Sequence, residues 1–150
     1  MKHLAQTISI ILCIACNNSN NKNDTSIKPH ADSLMDEVMH AHNQGMAKMN
    51  KISEAETEVQ RAIDSIAKLP PALQKKSATY KTQLDSVLAR LKYADYAMNT
   101  WMEQFNLDSE ANNSERRIKY LESEKTKILN VNDTMLNSIR NAESILTKKF

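Results

Sequence analysis

The sequence predicts an all-α protein, an elongated antiparallel three-helix bundle with coiled-coil-like packing behind a signal peptide and a disordered tether. Three observations predict it. The 150 residues include one glycine, three prolines and 5% aromatic side chains, so the turn and strand chemistry of a β fold is nearly absent. Charged residues make up 25% of the chain and are mixed in sign, as on a solvated helical surface. Apolar positions recur at alternating steps of three and four through three long stretches, the spacing that lines one side of a helix. The expected organisation is a lipoprotein signal peptide over 1–15, a lipidated cysteine and tether over 16–30, and the bundle over 31–150. Its helices are expected at about 32–69, 71–106 and 113–149.

The first fifteen residues read as an address. Lys2 and His3 form a short polar head, and residues 8–15 form an apolar core far below the ~20 residues that span a bilayer. Ala15-Cys16 matches the cleavage point of a bacterial lipoprotein signal, with a small residue before the lipid-accepting cysteine. Cys13 stands where leucine is usual, and the bulky Leu12 before it makes Cys13 the weaker acceptor. The bland alternative is an ordinary secretory signal with incidental cysteines. Acylation of Cys16 would place the protein in the bacterial cell envelope, joined to the membrane through its N-terminal lipid, with its domain in the periplasm or at the cell surface. The mature chain would then hold no free thiol, and so neither a disulfide nor a cysteine nucleophile. Residues 17–26 are polar and low in complexity, too poor in apolar surface to offset the entropy of ordering, which predicts a tether up to about Pro29.

The first helix is expected to start near Asp32 or Ser33. It carries Met35, Met39, His42, Met46 and Met49 at steps of four, three, four and three, followed by Ile52, Ala55, Val59, Ile63 and Ile66. Pro70 ends it, because the residue before a proline is pushed out of helical geometry, and Pro71 suits the first turn of the next helix. The second stripe comprises Leu73, Ser77, Tyr80, Leu84, Val87, Leu91, Ala94, Met98, Trp101 and Phe105. Asn112 with Glu115 three residues later predicts the start of the third helix, which carries Ile118, Leu121, Lys125, Ile128, Asn132, Met135, Ile139, Ala142 and Leu146. Short connections make the three helices run up, down and up. The expected core therefore contains Met35, Met49, Leu84, Leu91, Trp101, Phe105, Ile118, Leu121, Ile128, Met135 and Ile139.

A hairpin folded about residue 70 sets Met39 against Trp101 and His42 against Met98. The second connection sets Trp101 against Ile118 and Ala94 against Lys125. Lys125 would then turn its ammonium outward or pair with Asp95.

The run of His42, Met46 and Met49 followed by Ala97-Met98, Trp101-Met102, Phe105 and a long third helix resembles a group of small lipoproteins from Bacteroidota. Those are generically labelled "viral A-type inclusion protein". The resemblance spans most of the mature chain and implies a helical lipoprotein without bringing an activity. In that group acidic residues follow the histidine and proline follows the first methionine, whereas Asn43, Gln44 and Ala47 stand here.

The formal net charge is +2, and residues 1–15 contribute only Lys2, so the rest of the chain is nearly neutral and lacks the basic footprint of a nucleic-acid binder. There is no glycine-rich phosphate loop and no His-Glu-x-x-His pair, and no two carboxylates are singled out by position. These features predict a non-enzymatic, membrane-anchored structural or interaction module without a cofactor, facing an envelope partner that the sequence does not identify. One cluster competes with that reading. Met39, His42, Met46, Met98 and Met102, with Trp101 alongside, bring together thioether and imidazole donors that suit Cu(I), which would make the protein a periplasmic copper or silver binder. The bland reading is core packing, since methionine fills irregular gaps and a lone seam histidine sets register. A non-covalent haem held by Met and His is a third reading, without any Cys-x-x-Cys-His. The sequence favours core packing.

Overall fold

The computed structural model describes residues 24–148. They form five helices, α1 Asp24–Met46, α2 Met49–Ala67, α3 Pro71–Lys76, α4 Ala78–Gln104 and α5 Ser114–Leu146, with no strand among the described residues. Four of them, α1, α2, α4 and α5, pack against one another, while α3 is a short turn of helix at the bend. The expected signal peptide, and residues 16–23 of the expected tether, lie outside the described residues. Residues 24–30, also expected in the tether, are helical and extend α1 backward from Ala31 and Leu34, which bury against Leu121 of α5.

Where one unbroken first helix was expected, two follow each other across Ala47 and Lys48. The Lys48 N–H turns to the Gly45 carbonyl at 2.8 Å, a tighter i→i+3 bond, and the Lys48 ammonium takes the Gln44 carbonyl at 2.5 Å. Regular bonding resumes with the Ile52 N–H on Lys48 O at 3.0 Å.

The bend from α2 to α4 follows the expected proline chemistry. Pro70 stands before α3 with ψ 149° and Pro71 opens it. The Gln74 side-chain amide donates to the carbonyls of Ala67 and Leu69 at 3.0 and 2.7 Å, which satisfies the open end of α2. Ser77 separates α3 from α4, and Leu73, expected on the buried stripe, is exposed.

The expected core residues Leu84, Leu91, Trp101, Leu121, Ile128, Met135 and Ile139 are buried. Met35, Met49, Phe105 and Ile118 pack against the core only partly buried. In α1 the buried line is Ala31, Leu34, Val38, Ala41 and Gly45, one position away from the methionine stripe. It runs in phase into Ile52, Val59 and Ile66 of α2, because Val38, Gly45, Ile52, Val59 and Ile66 recur every seven residues. The methionine stripe cannot do this: Met46 to Met49 to Ile52 takes two steps of three in succession and swings around the helix.

The register between helices differs from expectation. Numbers rise together along α1 and α5, where Lys125 pairs with Glu37 and the Asn132 amide donates to Ala41 O at 2.8 Å. Lys125 is therefore not beside Asp95. Numbers run oppositely along α4 and α5, where Ser138 Oγ donates to Arg90 O at 3.3 Å and the Tyr80 hydroxyl donates to Ile145 O at 3.2 Å. The level of Trp101 and Ile118 has shifted, because Phe105 stacks on Tyr120 and the Asn106 N–H donates to the Tyr120 hydroxyl at 2.8 Å. The cause is the connection over 105–113, which folds back along the first turns of α5 instead of bridging straight across. Arg117 donates to Ser109 O at 2.6 Å, and Glu110 adopts a left-handed conformation at φ 57° to reverse the chain. Asn113, not Asn112, caps α5, its side-chain oxygen accepting the Arg116 N–H at 3.0 Å.

Candidate functional site

Small side chains on the buried line of α1 decide what happens at its other edge. Ala41 and Gly45 let α1 lie close along α5, whereas α4 approaches α2 and α5 more closely than it approaches α1. Larger side chains fill the gap between α1 and the end of α4. Met98 is fully buried, and its methyl reaches to within 2.1 Å of where a Cβ on Gly45 would sit. His42 lies over Trp101 with ring centroids 5.5 Å apart and a 30° tilt. The two contacts place His42 against Trp101 and Gly45 against Met98, three residues from the expected register.

Trp101 begins a ladder of rings. It stacks on Phe105 at 4.7 Å, and Phe105 stacks on Tyr120 at 6.1 Å. Phe105 can join because α4 stops at Gln104 and the next residue is extended, with φ −69° and ψ 123°. The Trp101 indole nitrogen is buried and meets no acceptor among the described residues. Leaving such a donor unpaired costs about 1–3 kcal/mol.

Beside this ladder runs a groove of about 730 Å³, open to solvent, lined by Met39 and His42 of α1, Trp101 and Met102 of α4, and Phe105 and Leu107 of the connection. Met39, His42 and Met102 are half-buried at its edge, and Leu107 is exposed. His42 Nδ1 lies 3.2 Å from the side-chain oxygen of Asn43 on the same helix. Of the five candidate donors, the groove thus gathers Met39, His42 and Met102. Met98 belongs to the core against Gly45, and Met46 is 40% exposed and does not line the groove. Cys16 lies outside the described residues.

Sequence reasoning missed Gly45, whose lack of a side chain sets the α1–α5 distance, and Phe105 and Leu107 as groove residues. The signal for Gly45 was present: it is the only glycine in the chain and falls seven residues from both Val38 and Ile52.

Elsewhere polar groups are engaged locally. The hydroxyls of Thr57, Ser65, Thr82, Thr126 and Thr134 each donate to a carbonyl one turn back on their own helix. The Glu56 carboxyl is raised above its ordinary value, by burial first and by Asp95 second, with Lys92 opposing. One of its oxygens is buried without a donor. Among the described residues, no three His, Cys, Asp or Glu side chains gather as a metal-holding group, and no helix is long and apolar enough to cross a membrane. No family model, curated protein or solved structure matches the chain.

Proposed function

We propose that the protein is a non-enzymatic lipoprotein of the bacterial cell envelope, anchored through an acyl group on Cys16, that presents a helical rod to a protein partner. The observation that carries this reading is the division of the chain. A leader ending at Ala15, just before Cys16, precedes a helical body in which the hydroxyls of Thr57, Ser65, Thr82, Thr126 and Thr134 are bound within their own helices and whose net charge is near zero. In this reading α1 and α2 form one bent leg, α4 returns beside it and α5 runs up again, as an elongated antiparallel three-helix bundle. The pairs Glu37–Lys125 and Tyr80–Ile145 support that arrangement. The bent leg measures roughly 60 Å at ~1.5 Å per helical residue, enough to carry its far end well clear of the headgroups. Tyr93 and Tyr96, both exposed and three residues apart on α4, support contact with a protein, because tyrosine is enriched where proteins meet. The resemblance to small Bacteroidota lipoproteins is part of the same proposal.

The test is fractionation of cells that express the wild type or Cys16→Ser. The wild type should sediment with membranes and carry acyl mass at its N-terminus, whereas Cys16→Ser should be unprocessed or released to the soluble fraction. Equal membrane association of the two, without acyl mass on the wild type, would remove the anchor from the proposal.

A further inference from the structure

Met39, His42 and Met46 lie off the buried line of α1. A seam methionine is buried, but in α1 the seam is filled by Leu34, Val38, Ala41 and Gly45, while Met39 and His42 stand at the edge of a solvent-open groove. Met102, half-buried where it packs against the core, lines the same groove from α4, so two thioethers and one imidazole border one solvent-open space. We infer that Met39, His42 and Met102 form a three-donor site for a soft monovalent cation, Cu(I) or Ag(I), with the Trp101 ring alongside.

Four features carry the inference. Met39 and His42 are three residues apart on one helix, and such side chains are neighbours on its surface. His42 is oriented by its neighbour: with Nδ1–H donated to the Asn43 oxygen at 3.2 Å, the lone pair of Nε2 is left for a ligand. The Trp101 ring lies 5.5 Å from that imidazole, where its face can meet a cation bound by His42. The electrostatics also suit a cation, because the groove lining includes Glu103 and no lysine or arginine, and Lys125 is held by Glu37. Thioethers select the metal class. They bind soft Cu(I) and Ag(I), whereas Zn(II) takes thiolate, imidazole and carboxylate ligands and Mg(II) and Ca(II) take oxygen. This site does not depend on lipidation and stands or falls apart from the anchor.

The full chain carrying Cys13→Ser and Cys16→Ser tests it, since the two thiols would otherwise compete for the probe. Ag(I) in chloride-free buffer is the probe, and the fluorescence of Trp101, the only tryptophan, is the readout. One equivalent of Ag(I) should change that fluorescence saturably, and the same concentration of Zn(II) should not. Met39→Leu, His42→Leu and Met102→Leu should each weaken Ag(I) binding at least tenfold while far-ultraviolet circular dichroism stays unchanged. Met46→Leu should bind within twofold of the parent. Anaerobic competition against a chromogenic Cu(I) chelator should rank the variants in the same order. The assignment is overturned if no one-equivalent transition occurs, if Met46→Leu loses binding as much as the groove variants, or if all three groove variants bind like the parent.

Discussion

Replacing Gly45 with alanine sets two well-measured effects against each other, and the structure decides the sign. Gly45 lies in α1, where alanine is favoured over glycine by up to about 1 kcal/mol in a helix interior. Propensity alone therefore predicts stabilisation. The added Cβ, however, would lie 2.1 Å from the Met98 methyl and 2.5 Å from the Asn132 side-chain oxygen. The methyl ends a flexible side chain, but Met98 is fully buried and cannot swing into solvent. Asn132 is held by its bond to Ala41 O, so moving it strains a buried hydrogen bond worth about 1 kcal/mol. Overfilling a packed core costs about 1–3 kcal/mol. The balance is a net destabilisation of about 1–3 kcal/mol, which lowers the melting temperature by roughly 3–5 °C per kcal/mol for a domain of this size. Thermal and urea unfolding followed by circular dichroism measure it directly. Gly45→Ala more stable than wild type would refute the close approach of Met98 and Asn132 to this backbone.

Two further predictions concern single side chains. Asn113→Ala removes the side-chain acceptor for the Arg116 N–H and should cost about 1 kcal/mol in urea unfolding, whereas Asn112→Ala should be near neutral, and the reverse order would return the cap to Asn112. Glu56 has a carboxyl raised above its ordinary 4.5, so the folded protein holds this proton more tightly than the unfolded chain does. That contribution is fully present below pH 4.5 and is lost as pH rises through the raised value. Glu56→Gln, neutral throughout, escapes the loss. Its stability relative to wild type should rise from about pH 4 to about pH 7, and a flat or falling difference would show that the buried oxygen is not disfavoured when charged.

The seams of α2, α4 and α5 were legible because each has one unrivalled apolar stripe. Ile52, Val59 and Ile66, then Leu84, Leu91 and Met98, then Leu121, Ile128 and Met135 fall where the spacing puts them. In α1 two stripes lie side by side, and the larger, softer residues drew the assignment to the wrong one. Volume was the misleading cue and phase the reliable one, since only the line through Val38 and Gly45 continues into α2 at a seven-residue repeat. The register of α4 on α5 was less accessible. It is set by Tyr120 and Arg117 holding the backbone of Asn106 and Ser109, bonds across eight to fourteen positions that no periodicity encodes. Lys125 was misplaced for the same reason, and its partner Glu37 became visible only once α1 was seen to lie along α5.

The bend, the groove and the misplaced stripe share one physical origin. Beyond Leu34 and Val38 the seam narrows to Ala41 and Gly45, too thin there to hold α1 at an ordinary distance from two neighbours at once, so α1 settles on α5 and leaves the end of α4. Asn132 can then reach across to Ala41 O, and Met98 fills the space under Gly45. Met39 and His42, one position around the helix, are carried to the rim of the gap this opens, opposite Met102 and Trp101. At Ala47 and Lys48 the chain must leave this geometry for α2, which packs against α4 and α5 together, and the change of direction falls where Lys48 gives its N–H to Gly45 O. A larger residue at Gly45 would therefore act beyond its own contact. It would lift α1 from α5 and change the width of the groove, so a site made by Met39, His42 and Met102 should lose Ag(I) affinity in Gly45→Ala although none of its donors is altered. Unchanged Ag(I) affinity in a measurably destabilised Gly45→Ala would separate the groove from the seam and refute the common origin.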